Sequence, residues 1–225
     1  MDKMNRKQWL EERKKGIGGS EASAVLGANP YMTNIQLFEI KTGKLEPEDI
    51  SDKPYVKYGN DAEPLLRDLF ALDYPQFEVD HVPYRNLVHK DHYFLRYSDD
   101  GLLTCKEDVK FEDVQLVAGE RGVLEIKTTE ILQSMHRERW NDQIPDNYFI
   151  QVLQRLLVTG FSFAILKAQL KTKYGDGEVR LNTRHYVINR SDHLEDIEHL
   201  MRKEIEFWNK YVLKNECPPR ALPSL

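Results

Sequence analysis

Apolar positions along this chain follow two different periods. From Asn5 to about Leu72 they recur at helical spacing. From Phe77 to Asn189 they alternate or run continuously, as strands require, with one further helical stretch between. The pattern predicts a first helix over Asn5–Lys15, anchored by Trp9 and Leu10 and ended by Gly16. Ile17-Gly18-Gly19-Ser20 reads as a tight turn, with Ser20 placed to cap a second helix, Glu21–Leu26, that stops at Gly27. A third helix near Asn34–Thr42 stops at Gly43, and residues 44–57 read as loop. A fourth begins after Tyr58-Gly59 with Asn60 as cap and runs to about Leu72, carrying Leu65, Leu66, Leu69 and Leu72.

Five segments then read as strands: Phe77–Tyr84, Tyr93–Ser98, Gly122–Thr128, Phe163–Lys171 and Arg184–Asn189. Asp99-Asp100-Gly101 and Gly175-Asp176-Gly177 stand where hairpin turns belong. A helix at about Asn147–Val158 separates the third strand from the fourth, and a last helix, Ser191–Leu213, starts with Ser191 as cap. Lys106–Gly119 reads either as an inserted loop or as an extended hairpin carrying Val109, Phe111, Val114 and Leu116. Helices, a strand meander, a helix, strands and a helix in that order imply an α/β or α+β architecture: a central mixed β-sheet flanked by helices.

Composition narrows the class. The chain has 225 residues, 40% hydrophobic and 31% charged, enough to bury a sizeable core in one domain. No apolar run approaches the roughly 18 residues a membrane-crossing helix needs. The opening MDKMNRKQWLEERKK lacks an apolar stretch, so no secretory signal is expected there, and the cytoplasm is the expected compartment. Cys105 and Cys217 alone supply neither a disulfide framework nor a cysteine-rich zinc site. No glycine-rich phosphate loop suggests ATP dependence.

Charge is uneven. The net charge is −5, yet Asp99–Glu130 holds nine acids against four bases, and the first 15 residues hold six bases against three acids. A polyanionic partner would therefore need local basic strips, or metal ions that neutralise the acidic centre.

The sharpest candidate chemistry is Leu124-Glu125-Ile126-Lys127. On a strand Glu125 and Lys127 share a face, opposite Ile126. Taken alone, the pair reads as a solvated cross-strand ion pair, Asp100 as a turn aspartate, and Glu63 as a capping-box acid after Asn60. Together they make a hard-oxygen set suited to Mg²⁺ or Mn²⁺. Asp100 and Glu125 supply carboxylates, the Ile126 carbonyl adds a third oxygen, and Glu63 orients a metal-bound water. Lys127 is placed to activate the attacking water or steady negative charge on a phosphate. On the helix that follows, Tyr148, Gln151 and Arg155 share one face, opposite an apolar side of Phe149, Val152, Leu153, Leu156 and Leu157.

The set Gly59…Glu63, Ser98-Asp99-Asp100-Gly101, Glu125-Ile126-Lys127 and Tyr148-Phe149-Ile150-Gln151 resembles the PD-(D/E)XK nuclease core, with its restriction-endonuclease-like fold. Trp9-Leu10-Glu11-Glu12-Arg13, Ile17-Gly18-Gly19-Ser20-Glu21-Ala22 and Gly27-Ala28-Asn29-Pro30-Tyr31 narrow the resemblance to the lambda exonuclease and YqaJ-type viral recombinase branch. The similarity covers roughly residues 5 to 190. It implies a single nuclease domain over 1–225. Helices in 5–72 form part of the DNA-end and 5′-phosphate site, the sheet core spans about 77–190, and the C-terminal helix about 191–213.

The resemblance further implies a Mg²⁺-dependent 5′→3′ exonuclease, with Mn²⁺ able to substitute and two ions per site. Such an enzyme digests one strand of linear double-stranded DNA and leaves a 3′ overhang for a single-strand annealing recombinase. By position, Asp100 and Glu125 match the metal-binding carboxylates, Lys127 the catalytic lysine, Glu63 the helix glutamate and Gln151 the active-site glutamine. Arg13, Ser20 and Ser98 match positions that grip the terminal 5′-phosphate, and Tyr148 joins them as a DNA contact. Family members often form ring-shaped trimers. The family's Pro-Asp is Asp99-Asp100 here, and spacing to Gly101 favours Asp100 as the ligand. An endonuclease of the same fold, or a non-catalytic DNA-binding module, are the alternative readings.

Overall fold

The chain's architecture comes from a computed structural model that describes residues 5–131, 140–141, 143–175 and 177–222. Its strands are β1 (Phe77–Asp80), β2 (Asn86–Val88), β3 (Arg96–Ser98), β4 (Gly101–Cys105), β5 (Val109–Phe111), β6 (Val114–Leu116), β7 (Arg121–Ile131), β8 (Phe163–Lys173) and β9 (Val179–Asn189). Five of them form the central sheet in the order β1-β4-β7-β8-β9. The β7–β8 pair is parallel and the other pairs are antiparallel, so the sheet is mixed. A parallel pair needs a crossover, and helix α5 (Asp146–Thr159) lies between β7 and β8 in the chain. Strand β7 is central, and Gly122–Ile126 is buried throughout, as in a strand covered on both faces.

The helices α1 (Arg6–Lys14), α2 (Gly19–Val25), α3 (Asn34–Lys41), α4 (Pro54–Asp73), α5 and α6 (Leu194–Glu206) cover the sheet. Side chains on β7 alternate between two cores. Val123 packs with Val152, Leu156, Leu166 and Leu200 under α2, α5 and α6. Leu124 and Ile126 pack with Leu66, Phe70 and Phe163 under α4. Two glycines permit close approaches. A Cβ at Gly16 would meet the Phe94 carbonyl oxygen at 2.3 Å, and one at Gly122 would meet the Phe163 ring at the same distance. Gly16 thereby lets Ile17 bridge to Leu95, joining the N-terminal turn to the sheet layer.

Several boundaries differ from the sequence reading. Helix α4 starts at Pro54, because proline's fixed φ suits the first helical turn. Gly59 and Asn60 are therefore helix interior, and Asn60 is no cap. Helix α2 starts at Gly19, so Ser20 lies in its first turn instead of capping it. Asp99-Asp100-Gly101 is not a hairpin turn: β3 pairs with β2, whereas β4 pairs with β1 and β7. The segment marks the chain's passage from one sheet to another. Residues 106–119 form the hairpin alternative, β5 against β6, with Phe111 and Leu116 buried on the α4 side. Ser191 lies in a 3₁₀ turn, Arg190–His193, ahead of α6, and the last helical segment finishes as a π-helix, Phe207–Val212. Strands β8 and β9 do pair antiparallel around Gly175 and Gly177, while Asp176 lies outside the described residues. Among the described residues, no helix is long and apolar enough to cross a membrane.

Candidate active site

The end of one ladder builds the centre of the site. Strand β4 begins at Gly101, paired with Leu124 of β7. Glu125, Ile126 and Lys127 thus run past the start of β4. The Asp100 side chain takes over the missing ladder bond, with Ile126 N–H donating to Asp100 Oδ2 at 2.9 Å. This holds Asp100 at the edge of β7, beside the face from which Glu125 and Lys127 project. Glu125 is fully buried, and three side chains hold it. Lys127 Nζ is 2.6 Å from Oε1, Gln151 Nε2 donates to Oε1 at 3.0 Å, and the Arg155 guanidinium pairs with Oε2.

Helices α4 and α5 complete the centre. Arg67 Nη1 of α4 donates to the Asp100 carbonyl at 2.7 Å and to Glu63 Oε1 at 3.1 Å, tying the helix glutamate to the strand bend. Burial, and then the neighbouring Asp100, push the Glu63 carboxyl up to about 7. Burial likewise raises the Glu125 carboxyl, against the opposing pull of Arg155. Arg155 is buried, donates Nη1 to the Ser98 carbonyl at 2.6 Å, and lies 3.9 Å from Asp100 Oδ1. One guanidinium therefore spans both carboxylates. Glu125 and Asp100 outweigh its burial and hold it above the ordinary arginine value.

A second wall adjoins this centre. Arg13 Nη2 donates to Ser20 Oγ at 3.2 Å, and Trp9 Nε1 donates to Ser98 Oγ at 2.9 Å. The Arg13 guanidinium stacks over the Trp9 ring, 4.7 Å from its centroid. One cavity of about 270 Å³ reaches both walls, lined by Arg13, Ser20 and Ser98 on one side and Glu63, Asp100, Ile126, Lys127 and Gln151 on the other. Of the residues singled out in the sequence, Glu125 lies beneath the surface, under Lys127 and Gln151. Tyr148 does not line the cavity: its ring stacks on Trp140, with Lys127 Nζ 5.3 Å away over its face. Its observed contacts are therefore with protein side chains.

The structure separates the two adjacent aspartates. The Asp99 side chain is buried and held by Arg85, Nη2 to Oδ2 at 2.6 Å and Nε to Oδ1 at 3.0 Å. Arg85 also pairs with Asp80, and its Asp99 hydrogen bonds raise it above the ordinary arginine value. Asp99 thus anchors the bend, while Asp100 lines the cavity. Asp99→Ala should cost about 3 kcal/mol by leaving Arg85 without its buried partner. Asp100→Asn should keep its bond to Ile126 N–H and melt close to the parent, yet lack the upward shift in melting temperature expected of the parent in Mn²⁺. Thermal unfolding of both variants in EDTA and in Mn²⁺ checks the assignment, and the reverse pattern would exchange the roles.

Three lining residues were not singled out in the sequence: Asn86, Arg96 and Tyr97. Arg155 follows Gln151 by one helical turn, a spacing that places both on one face, yet nothing in the sequence said it would pair with Glu125. Arg96 donates to Glu12 at 3.0 Å from its own strand, a contact no local pattern reveals.

The donor set fits a hard divalent cation. Among the described residues no three Asp, Glu, His or Cys side chains are gathered to hold a metal. Asp100, in the bend before β4, and Glu125 of β7 supply two carboxylates, so the Ile126 carbonyl and water would complete the coordination, with Glu63 next to Asp100. Carboxylate, carbonyl and water are the ligands that Mg²⁺ and Mn²⁺ favour.

The architecture is that of solved alkaline exonucleases. The alkaline exonuclease LHK-Exo from Laribacter hongkongensis superposes with a TM-score of 0.58 at 15% identity, covering 93% of this chain and 97% of that one. The LHK-Exo complex with dAMP gives 0.54 at 14% identity, with the same coverage. Residues 8–162 match the YqaJ-like viral recombinase domain, and the chain belongs to that family. It is also 32% identical over 216 residues to the uncharacterized protein YqaJ of Bacillus subtilis (strain 168), covering 96% of this chain. The alignment covers 59% of that relative's length.

Proposed function

We propose that this chain is a single nuclease domain that digests one strand of linear double-stranded DNA in the 5′→3′ direction, dependent on Mg²⁺ or Mn²⁺. The observation that carries the reading is the one cavity shared by a carboxylate–lysine wall and an arginine–serine wall. An anionic phosphodiester needs positive charge beside an acidic centre, and a terminal phosphate suits a guanidinium with hydroxyls around it. Arg13, Ser20 and Ser98 hold the 5′-phosphate. Asp100, Glu125 and the Ile126 carbonyl would hold the metal, with two ions per site. Such ions, when bound, would supply Lewis acidity for activating water and offsetting charge on the phosphate.

The chain's own groups do the rest. Gln151 and Arg155 fix the Glu125 carboxylate, so its orientation does not depend on the substrate. Lys127 places a positive charge at the cavity wall, where it orients water and offsets charge gathering on the phosphate. Glu63, tied to the Asp100 bend by Arg67, orients water beside Asp100. The product is a 3′ overhang, the substrate a single-strand annealing recombinase takes up. A ring-shaped homotrimer would keep the enzyme on its strand, in the cytoplasm of a bacterial or phage-infected cell. The alkaline exonuclease neighbours, one of them holding dAMP, agree in kind with this chemistry.

The test uses linear duplex carrying one label at the 5′ end of one strand and another at its 3′ end, in Mg²⁺ and in EDTA, beside closed circular plasmid. The expected result is early release of the 5′ label in Mg²⁺ only, with the circle intact. Nicking of the circle would assign an endonuclease, and digestion in EDTA would remove the metal from the reaction.

A further inference from the structure

Behind the Arg13–Ser20 wall lies a buried ion pair that is not itself part of the cavity lining. Lys41, in the last turn of α3, has a side chain only 2% exposed, and Nζ lies 2.8 Å from Glu21 Oε2 and 2.9 Å from Glu21 Oε1. The same ammonium donates to the Arg13 carbonyl at 3.1 Å. Glu21 Oε2 in turn accepts from Gly18 N–H at 2.8 Å. We propose that Lys41 and Glu21 form a positioning pair that sets the spacing of Arg13 and Ser20 and so determines how strongly the enzyme prefers a 5′-phosphorylated end. The proposal rests on the reading of that wall as the 5′-phosphate site.

The argument is geometric. Arg13 stands in the last turn of α1, where backbone carbonyls lack helical partners, and Lys41 supplies one to the Arg13 carbonyl. Glu21 supplies the matching acceptor at the start of α2. One ammonium thus ties the end of α1 to the start of α2, across a link that includes Gly16 and Gly18. Glycine gives such a link little stiffness of its own. Arg13 Nη2 and Ser20 Oγ, 3.2 Å apart, extend from the two tied ends. Ile17 in the link is pinned by backbone bonds with Phe94 and Arg96, so without the tie the freedom to change their separation lies in the residues on either side of it. A bidentate grip on phosphate depends on that separation, whereas Asp100, Glu125 and Lys127 are held by other contacts. A buried ion pair adds little net stability over well-packed apolar residues, so its distinct contribution here is placement.

The experiment measures kcat and KM on linear duplexes with 5′-phosphate and with 5′-hydroxyl ends, for the parent, Lys41→Met, Lys41→Arg and Arg13→Ala. Lys41→Met should leave digestion of 5′-hydroxyl ends within about twofold of the parent. Its preference for phosphorylated ends should fall by about 10- to 100-fold, read mainly in KM, as a misplacement of order 1 Å implies. Lys41→Arg, which keeps a cationic donor, should recover part of that preference. Should Lys41→Met fail to fold, Glu21→Gln serves instead, since its amide oxygen still accepts from Gly18 N–H while the charge facing Lys41 is gone. Preference retained by a folded Lys41→Met, while Arg13→Ala loses it, overturns the positioning pair and leaves the phosphate site standing. Equal loss on both kinds of end also overturns it, by showing a merely structural role. A parent without preference, or an Arg13→Ala that keeps it, overturns the phosphate site and the pair together.

Discussion

Lys127→Ala should slow DNA digestion by about 10²- to 10³-fold while leaving duplex binding measurable. The lysine is held at the cavity wall by Glu125, 2.6 Å away, and by the face of the Tyr148 ring. In the proposed reaction its ammonium would stand where the attacking water and the scissile phosphate meet the carboxylates, on the cavity it lines. Removing one preorganised charge aimed at developing negative charge costs about 10²- to 10³-fold in kcat. Binding is assigned in the proposal to other groups, chiefly Arg13, Ser20 and Ser98, so affinity for a linear end should change little. Glu125→Gln supplies the companion case, since it keeps the side chain's size and removes its charge. Single-turnover digestion, paired with anisotropy of a labelled duplex in Ca²⁺, separates the two effects. A Lys127→Ala variant that digests at the parent's rate would end its assignment as a catalytic group.

The helical and strand periods carried the fold well where one face decided the pattern. Helix α5 and strand β8 lie within about two residues of their expected bounds, because each buries a continuous apolar set against the central sheet. The start of α4 was not legible, because it depends on backbone preference at Pro54 and not on burial: Tyr55 and Lys53 are exposed. The acidic stretch from Asp99 to Glu130 points to the site less directly than its charge suggests. Asp99 is spent on Arg85, Asp108 accepts from Ala118 N–H, and Glu120 accepts from Val117 N–H. Within that stretch only Asp100 and Glu125 belong to the centre, and Glu63 reaches it from a distant helix. Strand alternation put Glu125 and Lys127 on one face, a local property, whereas Asp100 and Glu63 were singled out through the family resemblance, since the ladder end at Gly101 and the approach of the helix are tertiary. The bridging of two carboxylates by Arg155 is a tertiary pairing with no local signature.

That bridge carries the largest expected effect on stability. Arg155→Met should lower the melting temperature of the metal-free protein by roughly 6 to 20 °C. The estimate follows from about 3–5 kcal/mol for stranding a buried charge, and about 2–4 °C per kcal/mol in a domain of this size. The stranded charge is Glu125, fully buried and left with Lys127 and Gln151, while the Ser98 carbonyl loses its donor. The pH dependence has a definite sign. Burial already raises the Glu125 carboxyl, and losing the opposing Arg155 raises it further. The native variant then holds a proton that the unfolded chain has released above about pH 4.3. Its deficit against the parent should therefore widen as pH rises from that value and narrow below it. Adding Glu125→Gln to Arg155→Met removes the stranded charge and should restore part of the melting temperature. Mn²⁺ should raise the melting temperature of Arg155→Met more than that of the parent, because the two carboxylates then face a cation without a competing guanidinium. Equal Mn²⁺ shifts in the two proteins, or a variant that melts with the parent, would show that Arg155 does not hold the carboxylates together. In that case the convergence of Asp100 and Glu125 would rest on the ladder end at Gly101 alone.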